Sequence, residues 1–277
     1  MTVLVAGCGY VGSAFARLVL ASSEDAEVIG LRRTVSKLPP GVRGVAADLG
    51  DRAGLAEALA PVAEEIDLLV YAAAADARTD EAYVRAYVNG LDNVLAALAD
   101  APLRRALFTS STAVYGQQEG WVDEASPTEP ASFSGRRLLE AEARLAAAST
   151  ESVSLRLGGI YGPGRTRLVQ RVEQGDVGAN RWTNRIHLED CAGAIAHLLA
   201  LPNPDSVYVG VDEAQASLAD VAALIADCLA CERPVVNGAP KGKRCRSERL
   251  RQTYTLRVPS YREGYPEIVD AYRATRT

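Results

Sequence analysis

Gly7, Gly9 and Gly12 stand in the spacing G-x-G-x-x-G, directly after the apolar run Val3-Leu4-Val5-Ala6. Beyond them Val11, Phe15, Leu18 and Val19 recur along one helical face. Glycines in such a strand-to-helix turn leave bare backbone against which the phosphates of a dinucleotide can lie. Gly7 allows the tight turn, Gly9 the approach of the pyrophosphate, and Gly12 close packing of helix on strand. At the helix start the peptide groups of Tyr10, Val11 and Gly12 offer N–H donors and the positive end of the helix dipole to the anion. The following apolar run, Glu27 to Leu31, ends at Arg32-Arg33-Thr34, twenty residues beyond Gly12. A site for NAD places Asp or Glu there, on the ribose 2′-hydroxyl, whereas paired guanidinium groups suit a 2′-phosphate. The residues therefore point to NADP in preference to NAD. Two solvated surface charges are the plainer account of the same pair.

These residues need strands to end beside them, and the chain alternates strand with helix. Val42 to Ala47 reads as a strand closing on Asp48-Leu49, and Asp51 to Ala60 as a helix. Ile66 to Ala73 is an apolar run with the tail Ala72-Ala73-Ala74-Ala75, whose small side chains leave room for a flat cofactor. Asp48, Leu49, Ala72, Ala73 and Ala74 are thus expected beside the coenzyme. A long helix is expected over Asp80 to Ala99, then strands at Ala106 to Thr109 and Val153 to Leu157, a helix at Asp190 to Leu201, and a strand at Ser206 to Val211. This alternation implies an α/β fold, a doubly wound parallel sheet of Rossmann type, binding ligands at the strands' carboxyl edge. Glycine and proline gather at Gly158 to Gly164 and from Pro234 to Gly242, where the chain is expected to leave the sheet. The division expected is a dinucleotide-binding core at 1–158 and 186–211, with a small substrate-capping lobe at 159–185 and 212–277.

With 277 residues, 48% of them hydrophobic, the chain can bury a large core. A net charge of −5 points to neither a nucleic-acid partner nor an anionic membrane. The first apolar stretch has no basic flank and is broken by glycine, unlike a signal peptide or a membrane span, so a cytoplasmic location is expected. Five scattered cysteines do not form a disulfide framework. Cys228 and Cys231 have redox spacing but fall at a helix end whose dipole opposes a thiolate, and no metal site is expected.

Four segments, in order, now resemble one family. Phe108-Thr109-Ser110-Ser111-Thr112-Ala113-Val114-Tyr115-Gly116 is similar to F-S-S-S-x-x-V-Y-G, and Leu155 to Pro163 is similar to L-R-x-x-N-x-Y-G-P. Ile186 to Asp190 resembles I-H-V-x-D, and Ser217 to Asp220 resembles the start of a late cap helix. The whole is similar to an extended short-chain dehydrogenase/reductase of the NAD-dependent epimerase/dehydratase family. The resemblance implies that Ser111 hydrogen-bonds the reacting oxygen and that Ser110 borders the cofactor. It also implies that two long helices, Asp80 to Ala99 and Ser134 to Ala148, could pair in a homodimer; a monomer is the alternative.

The departures are chemical. Where the family carries Tyr-x-x-x-Lys, Pro130, Gly135 and Glu142 align to place Ser134 at the tyrosine and Leu138 at the lysine. The only lysines are Lys37, Lys241 and Lys243, so no register restores the pair. That lysine would lower a phenol's pKa from about 10 toward neutrality, making it a base. A serine cannot replace it, which leaves Tyr115 and Tyr161 as candidate acids. His187 fits a strand and His197 an apolar helix face, as structural residues do. Only 22 residues separate Pro163 from Ile186, too few for a nucleotide-binding insertion, while Arg165, Arg167, Arg171, Arg181 and Arg185 could hold an acidic small molecule. The expectation is an NADP-dependent reductase, atypical for its family, acting on a small carbonyl, imine or activated double bond. An epimerase or dehydratase with an unusual base and a non-catalytic NADP-sensing protein are the alternatives.

Overall fold

The computed structural model describes residues 1–116, 119–148 and 151–276. The chain begins with β1 (Thr2–Ala6), α1 (Tyr10–Ser22), β2 (Glu27–Leu31), β3 (Arg43–Val45), α2 (Arg52–Leu59) and β4 (Leu68–Tyr71). Next come α3 (Asp80–Tyr83), α4 (Gly90–Ala97), β5 (Arg105–Ser111), β6 (Gly120–Val122), α5 (Phe133–Ala146) and β7 (Glu151–Leu157). After β8 (Gly159–Tyr161), α6 (Arg167–Glu173), β9 (Trp182–Thr183) and β10 (Arg185–His187) runs α7 (Leu188–Ala200), then β11 (Val207–Gly210). The chain closes with β12 (Ala216–Ser217), α8 (Leu218–Leu229), β13 (Lys243–Cys245), α9 (Leu250–Thr253) and α10 (Tyr261–Ala274).

Seven strands form one sheet in the order β11-β7-β5-β4-β1-β2-β3, the parallel Rossmann arrangement expected. Strands buried on both faces need continuous apolar runs, and Val3, Leu4, Val5, Leu69 and Val70 are all fully buried. The order reverses between β1 and β4, which puts a crevice at their carboxyl ends.

Two compact units emerge. The first comprises Met1–Gly116, Pro127–Arg156 and Ala192–Tyr208, and the second Gln117–Ser126, Leu157–Cys191 and Val209–Thr277. The stretch 186–211, assigned whole to the core from sequence, is thus divided at Ala192 and Val209, and 117–126 joins the second unit.

The helix expected over Asp80 to Ala99 is interrupted. Val84–Asn89 forms a π-turn, in which Gly90 N–H bonds the Arg85 carbonyl rather than that of Ala86. Tyr71 hydroxyl takes the freed Ala86 carbonyl at 2.5 Å, so a side chain has inserted into the helical ladder. A Cβ on Gly90 would lie 2.5 Å from that hydroxyl, which explains the glycine.

In the second unit α6, α8 and α10 enclose a core of Val169, Val172, Val221, Ile225, Ile268 and Val269. Ser217 and Asp220 form a reciprocal capping box that starts α8. Asp190, the acid of the I-H-x-x-D segment, accepts hydrogen bonds from Arg257 N (2.7 Å), Val258 N (3.0 Å) and Tyr254 hydroxyl (3.3 Å). It clasps the C-terminal segment. All five cysteines are free. Among the described residues no helix is long and apolar enough to cross a membrane, and no group of His, Cys, Asp and Glu is placed to hold a metal.

Asp212 is buried, and among the described residues neither carboxylate oxygen has a hydrogen-bond partner. Burial raises its pKa to about 8, against the pull of Arg185. Its folded pKa exceeds the unfolded value of about 3.9, so its stabilising contribution is full below pH ~4 and is lost as pH rises toward 8. Denaturant unfolding of Asp212→Asn should therefore lack that slope and show, at pH 8, a midpoint above the native protein's; parallel pH profiles would refute the assignment.

Candidate functional site

The turn after β1 is held tightly. Gly7 has φ +83°, and a Cβ there would lie 2.5 Å from the Ala73 backbone. Gly7 N and Cys8 N both donate to the Leu31 carbonyl, at 3.0 and 3.1 Å, tying the turn to the end of β2. A Cβ on Gly12 would lie 2.7 Å from the Val5 side chain, so this glycine sets the packing of α1 on β1. A Cβ on Gly9 would meet nothing nearer than the Gly7 carbonyl at 3.8 Å, leaving an open face. The N-terminus of α1, where Tyr10 and Val11 stand, has neither a side-chain cap nor an acidic residue in its first turn. A dinucleotide fits this cradle on shape and on charge.

Around the cradle the expected residues divide. Ala72, Ala73 and Ala74 follow β4, with Ala73 against Gly7. Arg32 folds back, its Nη1 donating to the carbonyls of Cys8 (3.1 Å) and Lys37 (3.2 Å). Arg33 makes an exposed bidentate pair with Asp76, at 2.8 and 2.6 Å. Thr34 precedes the short turn Val35–Lys37. The Asp48 carboxylate accepts from Gly50 N and Arg85 Nη2, and the Leu49 carbonyl from Asn93.

At the end of β5, two adjacent serines behave differently. Ser110 turns inward and donates to Glu142 at 2.5 Å; Glu142 also accepts from Arg156, whose Nη1 donates to Tyr115 hydroxyl at 3.0 Å. Tyr115 is fully buried within this network, so its phenol serves the interior. Ser111 Oγ accepts from Ala113 N at 3.2 Å and starts the turn Thr112–Tyr115. The start of α5 passes close to that turn, since a Cβ on Gly135 would lie 2.6 Å from the Ala113 carbonyl. Ser134 therefore stands beside it, bonded to Ser132 at 2.9 Å, while Leu138 is buried and apolar. Arg137 is drawn to Asp80 and Glu140.

Sequence reasoning missed Tyr83 and Tyr87. The π-turn brings the Tyr83 ring to 5.3 Å from Phe133, next to Ser134, and to 5.0 Å from Tyr87. Tyr87 takes a backbone hydrogen bond from Ala75, at the end of the alanine tail; burial nonetheless raises its pKa, and that bond only partly opposes the rise. Their spacing of four on one helical face was the available signal.

Tyr161 lies in the second unit, buried, with its ring stacked on Tyr265 at 5.0 Å and edge-on to His187 at 5.2 Å. Burial, then the charge of Asp212, raises its pKa. Of the five arginines, Arg185 is buried against Thr183, Arg171 donates to the Asp176 carbonyl, and Arg165 reaches the Ile160 carbonyl at 3.5 Å. Burial, then the charges of Arg185 and Arg171, lower the pKa of Arg181. Burial likewise lowers the pKa of His187 and of His197.

A family model described as NAD dependent epimerase/dehydratase matches residues 3–210. A solved structure described as an NAD-dependent epimerase/dehydratase from Methylobacillus flagellatus is 36% identical, with a TM-score of 0.85 and 98% of each chain covered. UDP-glucose 4-epimerase of Thermus thermophilus, in complex with NAD, is 22% identical with a TM-score of 0.83 over 99% of each chain, a likeness of fold. Protein YeeZ of Escherichia coli K12 is 38% identical over 130 residues, which are 47% of this chain and 46% of that protein. The match thus spans about half the length of that relative.

Gly9→Ala should fold, because its methyl meets no close neighbour, yet weaken coenzyme binding at least about tenfold by filling the phosphate approach. Calorimetry with unaltered affinity would contradict the cradle.

Proposed function

Because the chain belongs to the NAD dependent epimerase/dehydratase family, we propose that it is a nicotinamide-dependent reductase, acting on a small carbonyl or imine and held to its coenzyme by the Gly7–Gly12 turn. The carrying observation is the pairing of a buried Leu138 at the lysine position with the raised pKa of Tyr87. An epimerase or dehydratase begins by taking a proton from a substrate alcohol, which needs a base near pH 7. A phenol whose pKa is raised keeps its proton at neutral pH, and can give it but not take one. Reduction needs only that gift.

The coenzyme supplies hydride, and the chain supplies position and a proton. Ser111 Oγ already accepts from Ala113 N, which leaves its own hydrogen to donate to the substrate oxygen. Tyr87, anchored to Ala75, passes its phenolic proton to that oxygen and is reprotonated from water. Crowded between Phe133, Phe108 and Tyr83, the site favours a flat, partly apolar reacting group.

The coenzyme choice follows from Arg33. Its pair with Asp76 is exposed and worth about 0–1 kcal/mol, so a 2′-phosphate dianion can displace the carboxylate. We infer a preference for NADP, although the related structures described above contain NAD where a coenzyme is named.

Two measurements follow. Tyr87→Phe should lower kcat for NADPH oxidation about 100-fold with unchanged coenzyme affinity; full activity would remove the tyrosine from the scheme, and tight NADPH binding without turnover on any carbonyl or imine would favour a sensor. Arg33→Ala should weaken NADPH about tenfold and leave NADH unchanged; equal losses would end the 2′-phosphate reading.

A further inference from the structure

Arg244 lies within the second unit, and its guanidinium is sandwiched. Its Cζ sits 4.4 Å from the ring centre of Trp121 and 4.8 Å from that of Trp182. Arg246 adds a second guanidinium over Trp121 at 4.1 Å. The assembly is fixed by backbone on each side. β13 pairs with β6 so that Arg244 stands opposite Trp121, and Trp182 N donates to the Lys241 carbonyl at 2.9 Å. Asn184 donates to the Lys243 carbonyl (3.1 Å) and accepts from Cys245 N (2.6 Å), bracketing Arg244.

Two indole faces satisfy a guanidinium's faces, but not its five N–H donors, which lie in its plane. The Arg244 Nε is buried with no hydrogen-bond partner among the described residues, and no carboxylate there pairs with the side chain. Two other arginines withdrawn from solvent are treated otherwise. Arg105 is given three carbonyls and Glu151, and Arg156 is given Glu142 and Tyr115. Glu119, next to β6, is exposed and engaged on Gly242 N. A fixed cation whose terminal Nη groups make no hydrogen bond among the described residues, beside a half-exposed indole, is built to take an acceptor from outside.

We propose that Arg244, clamped between Trp121 and Trp182, is the receptor for the carboxylate or phosphate of a small anionic ligand. The oxyanion takes the in-plane donors of Arg244, and Arg246 adds long-range attraction from the other guanidinium on Trp121. The indole edges exclude water and offer apolar surface to whatever the anion is attached to.

The chain's only tryptophans are Trp121 and Trp182, so its intrinsic emission reports this site. The full chain is titrated with inorganic phosphate and, separately, malonate, at ionic strength held constant with sodium chloride. A saturable emission change with either anion is expected, weakened about tenfold or more in Arg244→Met. Arg244→Lys, which keeps the charge but loses the planar fork, should weaken it severalfold and serves if the Met variant does not fold. Coenzyme calorimetry on the same variants should be unchanged, which separates failure of this site from failure of the dinucleotide cradle. No response beyond the chloride control, or an undiminished response in both variants, would overturn the proposal. A response to phosphate alone or malonate alone identifies which oxyanion the site takes.

Discussion

Two backbones meet at Gly7 and Ala73 with no room for a methyl group between them. That contact joins the ends of β1 and β4 where the sheet order reverses, and it lies beside the start of α1. A side chain at Gly7 would meet both a forbidden φ and a clash, so the chain has one solution there. Everything proposed for the coenzyme follows from this closeness. In that proposal the phosphates would lie on backbone, with Arg32 and Arg33 offered to the adenosine end and the alanine tail to the reactive end.

A second constraint governs the end of β5. Burying Glu142 and Arg156 costs several kcal/mol per ion in desolvation, and only dense hydrogen bonding offsets it. Ser110 and Tyr115 provide that density, so both are engaged in the interior, while the half-buried Ser111 stands outside the network. By contrast, the ion pairs Arg137–Asp80 and Arg144–Asp92 are screened by solvent and contribute little to stability. They lace α3 and α4 to α5 within one chain. The buried network is thus a matter of position rather than of stability.

The absence of a lysine at position 138 and the raised pKa of Tyr87 act together in the proposed chemistry. Among the described residues burial is the largest influence on the Tyr87 phenol and keeps its proton on, which in that proposal favours delivering a proton over abstracting one. The direction of the proposed chemistry is therefore set by an absent charge as much as by a present group.

Sequence alone determined the strands of the seven-stranded sheet, the glycine turn and the missing Tyr-x-x-x-Lys pair, because apolar period, glycine spacing and residue identity are local properties. It could not show the π-turn at Val84–Asn89, which exists because Tyr71, from another strand, claims the Ala86 carbonyl. Nor could it show that Tyr115 is spent on Arg156, that Asp190 clasps residues more than sixty positions away, or that Arg244 is stacked between Trp121 and Trp182. Those are decided by which hydrogen-bond acceptors and ring faces the fold brings within reach. A residue's type sets what it can bind; only the folded chain sets what is already bound.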